Sequence, residues 1–357
     1  LIRHYLEVVI LYSIKMFKGE RSVHGIYHML KGKKSSQTIQ DAHFFRLSPL
    51  FGTVPSLSRE ELMKTAAGLE NNGLIDPGTR EDHFLISRQG EDLLTEYLDK
   101  QPMPAALNGL KFHSDAFAFW ARLSLLIQSL SHIIRSQKSF YPIQRNLGIQ
   151  SFVKQFLSGA GKNRVLLAEH LFSELVSLLE TREALEQKIF VLKLSGSHRI
   201  GNTYNQIAAE LADDEWHIKF VFLGTIHFMM EQISMDKGDY PLLASLLKNK
   251  GNSNNGSLTQ SSKATLDFLE KGYSLQDIAG IRKLKSNTIE DHIVEIALAD
   301  KEFPIHDYVS EKEKMLILRA AGESKTKQLK SIKMLVKDES ISFFKIRLVL
   351  AKAGDNL

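Results

Sequence analysis

Apolar side chains recur every three or four positions along most of this chain, and only eight prolines interrupt them in 357 residues. Positions three and four apart share one face of a helix, whereas a strand needs a period of two. The expected fold class is therefore mainly α, with only short extended segments. Apolar residues make up 43% of the chain, enough to bury sizeable cores in two or three domains. Cysteine is absent. Disulfides, thiolate catalysis, cysteine-held zinc and iron–sulfur clusters are thereby excluded, and a reducing compartment fits.

The most apolar run, residues 116–134, contains Arg122, Gln128 and His132, which suits a buried helix better than a membrane span. Residues 218–233 form a shorter run, interrupted by Lys219, His227 and Glu231. No signal-peptide pattern stands at the front, so a cytoplasmic location without a membrane partner is expected.

Two segments read as linkers. Lys100, Gln101, Pro102, Met103 and Pro104 close a first region, and residues 251–257 form a polar loop of Gly, Asn and Ser. The expected division is 1–100, 101–250, a linker at 251–262, and 263–357. The net charge of +5 hides stronger local zones. Residues 1–50 carry eight basic and three acidic side chains, residues 51–100 carry five and ten, and residues 116–168 carry seven and none. Such zones matter more than the total for attracting a polyanion.

The first region reads as helices followed by a hairpin. Leu6, Val9, Ile10, Ile14 and Phe17 give one helical face over Tyr5–Phe17, and helices at Val23–Leu30 and residues 38–47 follow. Ser58 with Glu61 forms a capping box that starts the next helix, and Asn71, Asn72 and Gly73 stop it. Leu74 and Ile75, a turn at residues 76–80, then Phe84, Leu85 and Ile86 give strand, turn, strand. Another helix begins at Gln89. This order is that of a winged helix, whose helix before the wing enters the major groove while the hairpin meets backbone.

The last region carries a helix-turn-helix pattern. Ser274 and Asp277 cap a short helix, and residues 284–289 turn into a second helix through His292, Ile293 and Ile296. Ala279 permits close approach, and Ile278, Leu284, Ile289 and Ile293 fill the shared core. Ser286, Asn287 and Thr288 stand at the start of the recognition helix, where backbone N–H groups and the helix dipole favour phosphate. Glu290, Asp291 and Glu295 on that helix oppose phosphate contact, and Arg282, Lys283 and Lys285 offset them only at the turn. Further helices are expected at residues 311–321, 326–336 and 341–351, with a lysine stripe of Lys325, Lys327, Lys330, Lys333 and Lys337.

The middle region is expected to be helical throughout. Its acid-free stretch interleaves basic residues with Phe117, Phe119, Trp120, Phe140, Tyr141, Phe152 and Phe156. Such a mixture makes a single-strand track or fills a core, and the spacing favours the core. Thr203 to Ala208 resembles the first helix of a helix-turn-helix, but the helix after it opens with Asp213, Asp214 and Glu215. Asp214, Glu215, Trp216 and His217 spell a helicase box, yet they follow a helix rather than end a strand. The chain has no phosphate-binding G-x-x-x-x-G-K-[ST] loop, so helix capping explains the letters better and no ATPase is expected. His24 and His28 share a helix face, but Gly25 stands where a zinc protease needs glutamate. Neither a metal nor another cofactor is expected.

Residues 5–98 resemble the RQC winged helix that follows the ATPase core of RecQ-type helicases. Residues 260–352 resemble the helicase-associated helix-turn-helix domain found after some bacterial RecQ cores. With the Gly-Lys-Lys-Ser-Ser segment that opens residues 32–43, the whole chain resembles the YpbB family, stand-alone proteins of Gram-positive bacteria associated with a short RecQ-type helicase. The resemblance implies a non-enzymatic DNA-binding accessory factor in repair and recombination, with DNA (duplex, fork or single strand) and the helicase as partners. Two alternatives stay open: an adaptor that touches only the helicase, and a helix-turn-helix transcription regulator. The candidate DNA contacts are Lys31, Lys33, Lys34, Arg59, Lys64 and Arg80 in the first region, with Arg282, Lys283, Lys285, Ser286, Asn287 and Thr288 in the last.

Overall fold

A computed structural model describes residues 2–137, 139–161, 163–247, 258–324 and 328–353. The 251–257 loop, Lys325 and Lys327 lie outside the described residues. The first hundred residues hold α1 (Tyr5–Phe17), α2 (Val23–Leu30), α3 (Ser36–Phe44), a 3-10 turn (Ser48–Leu50), α4 (Arg59–Asn71), β1 (Ile75–Pro77), β2 (Phe84–Ile86) and α5 (Arg88–Lys100). Next come α6 (Gly109–Ile134), α7 (Leu147–Gly159), α8 (Arg164–Leu179), α9 (Ala184–Lys193), α10 (Tyr204–Leu211), α11 (Glu215–Met235) and α12 (Pro241–Leu246). The rest is α13 (Gln260–Leu269), α14 (Leu275–Arg282), α15 (Ser286–Ala299), α16 (Glu311–Glu323), α17 (Leu329–Val336) and α18 (Phe343–Ala353). The fold is mainly α, and among the described residues its one sheet is the β1–β2 hairpin.

The chain divides into two compact units, residues 1–9 with 95–251 and residues 10–94 with 252–357. The expected first and last regions thus contribute to one unit.

In the unit of residues 1–9 and 95–251, α6 supplies the spine of the core. Phe119, Leu123, Leu126 and Leu130 pack with Leu171 and Leu178 of α8, Phe190 of α9, Ile207 of α10 and Ile218 and Met229 of α11. By length and composition α6 is long and apolar enough to cross a membrane, a reading set aside for residues 116–134; 56% of its apolar window is buried within the protein. Two charged groups in this core find backbone partners. Arg122 donates to the carbonyl of Leu246 at 2.7 Å and lies 4.1 Å from the centre of the Phe152 ring. The Glu174 carboxylate accepts from the N–H groups of Leu242 and Leu243 at the start of α12. Of the interleaved aromatics, Phe119 is buried, Trp120 packs edge-on against Phe190 and Phe222, and Phe140 stacks on His132. Phe117 and Tyr141 are the exceptions, 70% and 97% exposed.

In the other unit, residues 10–94 follow the winged-helix order. Ser58 caps α4 by accepting from Glu61 N–H at 3.0 Å, and Gly73, at φ +69°, carries the chain out of the helix. β1 and β2 pair antiparallel with Ile75 opposite Ile86. The start of α5 presses on β1 so closely that a Cβ at Gly90 would sit 2.0 Å from the Leu74 carbonyl oxygen, which only glycine avoids. Arg21 and Asp41, both largely buried, form an ion pair at 2.9 Å that ties the start of α2 to α3.

The C-terminal part is organised around α15. Its buried face includes Ile293, Val294, Ile296 and Ala297, which join Ile317 of α16, Ile332 of α17 and Ile346, Leu348 and Val349 of α18. α3 also packs on α15, and Phe44 at its end joins this core.

His227 gives the first unit a predictable pH response. It is fully buried on α11, and its Nδ1 accepts the Asn108 N–H at 3.0 Å. Burial, helped by the charge of His113, lowers its pKa from 6.5 to about 4. A protonated His227 would lose that acceptor. The unfolded chain therefore binds the proton more readily, and the contribution to stability is complete above about 6.5 and lost as the pH falls toward 4. Urea unfolding at pH 7.5 and pH 4.5 is expected to show a loss approaching about 3 kcal/mol from this group. His227→Gln should remove that part of the pH dependence.

Candidate nucleic-acid interface

The unit that contains α15 carries two basic clusters. The first surrounds Tyr27 on α2. Gly32, at φ +72°, turns the chain at the end of α2, and the Lys33 N–H donates to the His28 carbonyl. Lys31 Nζ lies 5.5 Å from the Tyr27 ring centre and donates to the Leu57 carbonyl at 3.1 Å. The Arg59 guanidinium lies 5.7 Å from the same ring. The pKa of His28 is lowered by burial and then by the charges of Lys33, Arg59 and His24, which places Lys33 and Arg59 near His28. Lys34 follows, exposed, just before Ser35 caps α3 by accepting from Thr38 N–H.

The structure therefore brings Lys31, Lys33 and Arg59 together around Tyr27 and His28, with Lys34 beside them in the chain. The sequence reading missed Tyr27, whose signal was an aromatic residue preceding a lysine run. Lys64 is exposed on α4, a helix that also exposes Glu60, Glu61 and Glu70. Arg80 is exposed at the hairpin turn, where His24 Nε2 pairs with Asp82 at 3.1 Å.

The second cluster is the helix-turn-helix of α14 and α15. Ser274 and Asp277 form a reciprocal capping box on α14, and Lys283 ends it at φ +52°. Ile278, Ala279 and Ile289 pack together with Leu284. From Ile289 through Ala299 no residue of α15 is exposed, because α3, α13, α14 and α18 pack around it. The expected recognition helix therefore offers no fully exposed face along its length. The exposed residues stand at its entry turn: Lys283, Lys285, Ser286 and Asn287 are exposed, while Thr288, Glu290 and Asp291 are half-buried. Lys285 is the N-cap and provides no capping side chain, which leaves that turn open to an anion.

Two of the three carboxylates of α15 are engaged within the protein. Glu295 is buried and accepts from the Thr259 N–H and from the Thr259 and Ser262 hydroxyls, fixing the start of α13. Asp291 pairs with Arg347 of α18. Glu290 is half-buried, and burial pushes its carboxyl above the usual range. Arg282 is committed inside as well. Its guanidinium donates to the Ser261 carbonyl at 2.9 Å, the Ser261 hydroxyl at 3.0 Å and the Thr265 hydroxyl, and it lies near His292.

Two other motifs find structural roles. Thr203 and Gln206 form a capping box on α10, which ends at Ala212, φ +52°, and turns into α11, so this pair repeats the local geometry of α14 and α15. Its second helix, however, opens on Asp214, which accepts from the N–H groups of Trp216 and His217, while Asp213 pairs with His217 at 2.7 Å. The helicase-box letters are a helix cap. Among the described residues no group of three or more His, Asp or Glu side chains could hold a metal ion.

A helix-turn-helix domain model matches residues 261–350, and domains of this kind bind DNA. The chain is 34% identical over 349 residues to Protein YpbB of Bacillus subtilis (strain 168), covering 98% of this chain and 97% of that protein. No solved structure matches it.

Because Arg282 ties the end of α14 to α13, Arg282→Ala is expected to lower the unfolding free energy by about 2 kcal/mol, as loss of a charged hydrogen-bond donor does. The salt dependence of DNA binding should stay unchanged. Chemical denaturation paired with a salt titration separates the two effects.

Proposed function

The chain belongs to the YpbB family, and from that premise we propose that it is a non-enzymatic factor that holds DNA for a RecQ-type helicase in repair and recombination. The observation that carries the DNA part is the exposed turn from α14 into α15, with Lys283, Lys285, Ser286 and Asn287, in the same unit as the Tyr27 cluster. Lys33, Lys34, Arg59, Lys283 and Lys285 neutralise phosphates. The open N–H groups of the first turn receive a phosphate oxygen, and Asn287 reaches a base edge. Lys31 and Arg282 position the surfaces around them. Contact through a single helix tip supports backbone recognition with little sequence preference, which weighs against a regulator that reads an operator.

The helicase part rests on the resemblance of residues 260–352 to domains that follow RecQ cores, and of residues 5–98 to the RQC winged helix. The helicase supplies ATP hydrolysis, and this chain supplies duplex and junction contacts and needs no cofactor.

Fluorescence anisotropy with labelled forked, duplex and single-stranded DNA, without helicase, tests the DNA part. Binding is expected to weaken with salt and to vary little with sequence. Lys33→Glu combined with Lys34→Glu should weaken every DNA and reduce the salt slope by roughly 2, as two lost phosphate contacts do. Absence of binding at low salt would replace this reading with the adaptor, whose basic clusters dock helicase.

A further inference from the structure

We propose that the α6–α7 connection is a second DNA site, specific for single strands, in which Tyr141 stacks on a base and Arg145 and Arg135 meet the flanking phosphates. The inference rests on the DNA-binding reading above and adds a substrate form and a place to it.

Tyr141 is 97% exposed, whereas its neighbour Phe140 is turned inward onto His132, ring centres 4.3 Å apart. Leaving a tyrosine ring in water forgoes the stabilisation that burial gives. A mobile loop would explain such exposure, but this loop is tied from beneath. Gln128, buried on α6, uses both ends of its carboxamide. Its Nε2 donates to the Tyr141 carbonyl at 3.2 Å, and its Oε1 accepts the Ile143 N–H at 2.9 Å. Gln144 donates to the hydroxyl of Ser124, which is fully buried, and its carbonyl accepts from Gln150. Asn146 then caps α7 by accepting from Ile149 N–H. Polar groups thus fix the backbone from Tyr141 onward, the Phe140–His132 stack holds the residue before it, and the Tyr141 ring is presented outward.

The electrostatics point to a polyanion. Arg135 ends α6, Arg145 follows Tyr141 by four residues, and both are exposed. Four residues span at most about 14 Å, so ring and guanidinium lie within reach of one short strand. No acidic residue occurs from 116 through 168, so no sequence neighbour opposes phosphate. A preset aromatic face beside cations is the arrangement that holds single-stranded nucleic acid, because every base offers a face to stack on once it is unpaired. In a duplex those faces are already covered.

Anisotropy of the full chain with labelled oligo-dT and with a blunt duplex, at two salt concentrations, tests this site. Tyr141→Ala is expected to weaken oligo-dT binding roughly tenfold, as loss of one stacked base does, and to leave duplex binding unchanged. Tyr141→Trp should keep oligo-dT binding. Arg145→Gln should reduce the single-strand salt slope by about 0.7. Tyr141→Ala binding oligo-dT as tightly as the unaltered chain would overturn the proposal, with Tyr141 then free to serve a protein contact. A chain that binds duplex but no oligo-dT would also overturn it while sparing the proposed function, and a chain that binds neither would remove both.

Discussion

Enclosure of α15 is the constraint on which the rest of its unit depends. A helix-turn-helix that reads DNA ordinarily leaves one face of its second helix bare. Here α3 and α18 occupy the space around that helix, and nothing after Thr288 is exposed. Ile293, Val294, Ile296 and Ala297 become the centre of a core shared with α16, α17 and α18. Truncating any of them would leave a cavity rather than a smooth surface, at a cost of roughly 2–5 kcal/mol for a large side chain.

Enclosure also decides where charge can act. Glu295 and Asp291 sit on a helix that should be poor at meeting phosphate, yet one caps α13 and the other neutralises Arg347. Arg282, placed by its sequence position among the DNA contacts, satisfies acceptors on α13. What remains outside is a short positive tip. Lys33 and Lys34 are exposed in the loop from α2 into α3, Arg59 lies over Tyr27 at the start of α4, and α3 packs on α15. Residues nearly two hundred and fifty apart in the chain therefore belong to one unit, and both clusters can meet one ligand only as that unit permits.

Local signals in the sequence were informative wherever a local interaction governs. Tyr5–Phe17 and Val23–Leu30 are helices with the bounds that apolar spacing and turn residues suggested. Ser274 with Asp277 caps α14, and the hairpin stands between Ile75 and Ile86. Boundaries slipped where caps were ambiguous: α3 starts at Ser36 rather than 38, because Ser35 is its cap, and α18 starts at Phe343 rather than 341. What could not be read was pairing across the chain. Nothing in the spacing of Glu295 announces Thr259 and Ser262 as its donors, and nothing in residues 36–44 announces α15. Tyr141 illustrates the same limit. Among interleaved aromatics the interior was the sound expectation, and it holds for Phe119 and Phe140; only the Gln128 carboxamide, thirteen residues away, turns Tyr141 outward.

In the proposed function α15 meets DNA by its tip and serves as core along the rest of its length. Hydrogen exchange of the backbone amides, with and without duplex DNA, addresses that directly. Amides of Ile293 to Ala297 should be strongly protected in the free chain and unchanged by DNA. Those of Lys285, Ser286 and Asn287 should exchange readily when free and gain protection when DNA is bound, as should that of Lys34. Protection gained along the whole of α15, or a tip indifferent to DNA that binds elsewhere, would contradict it.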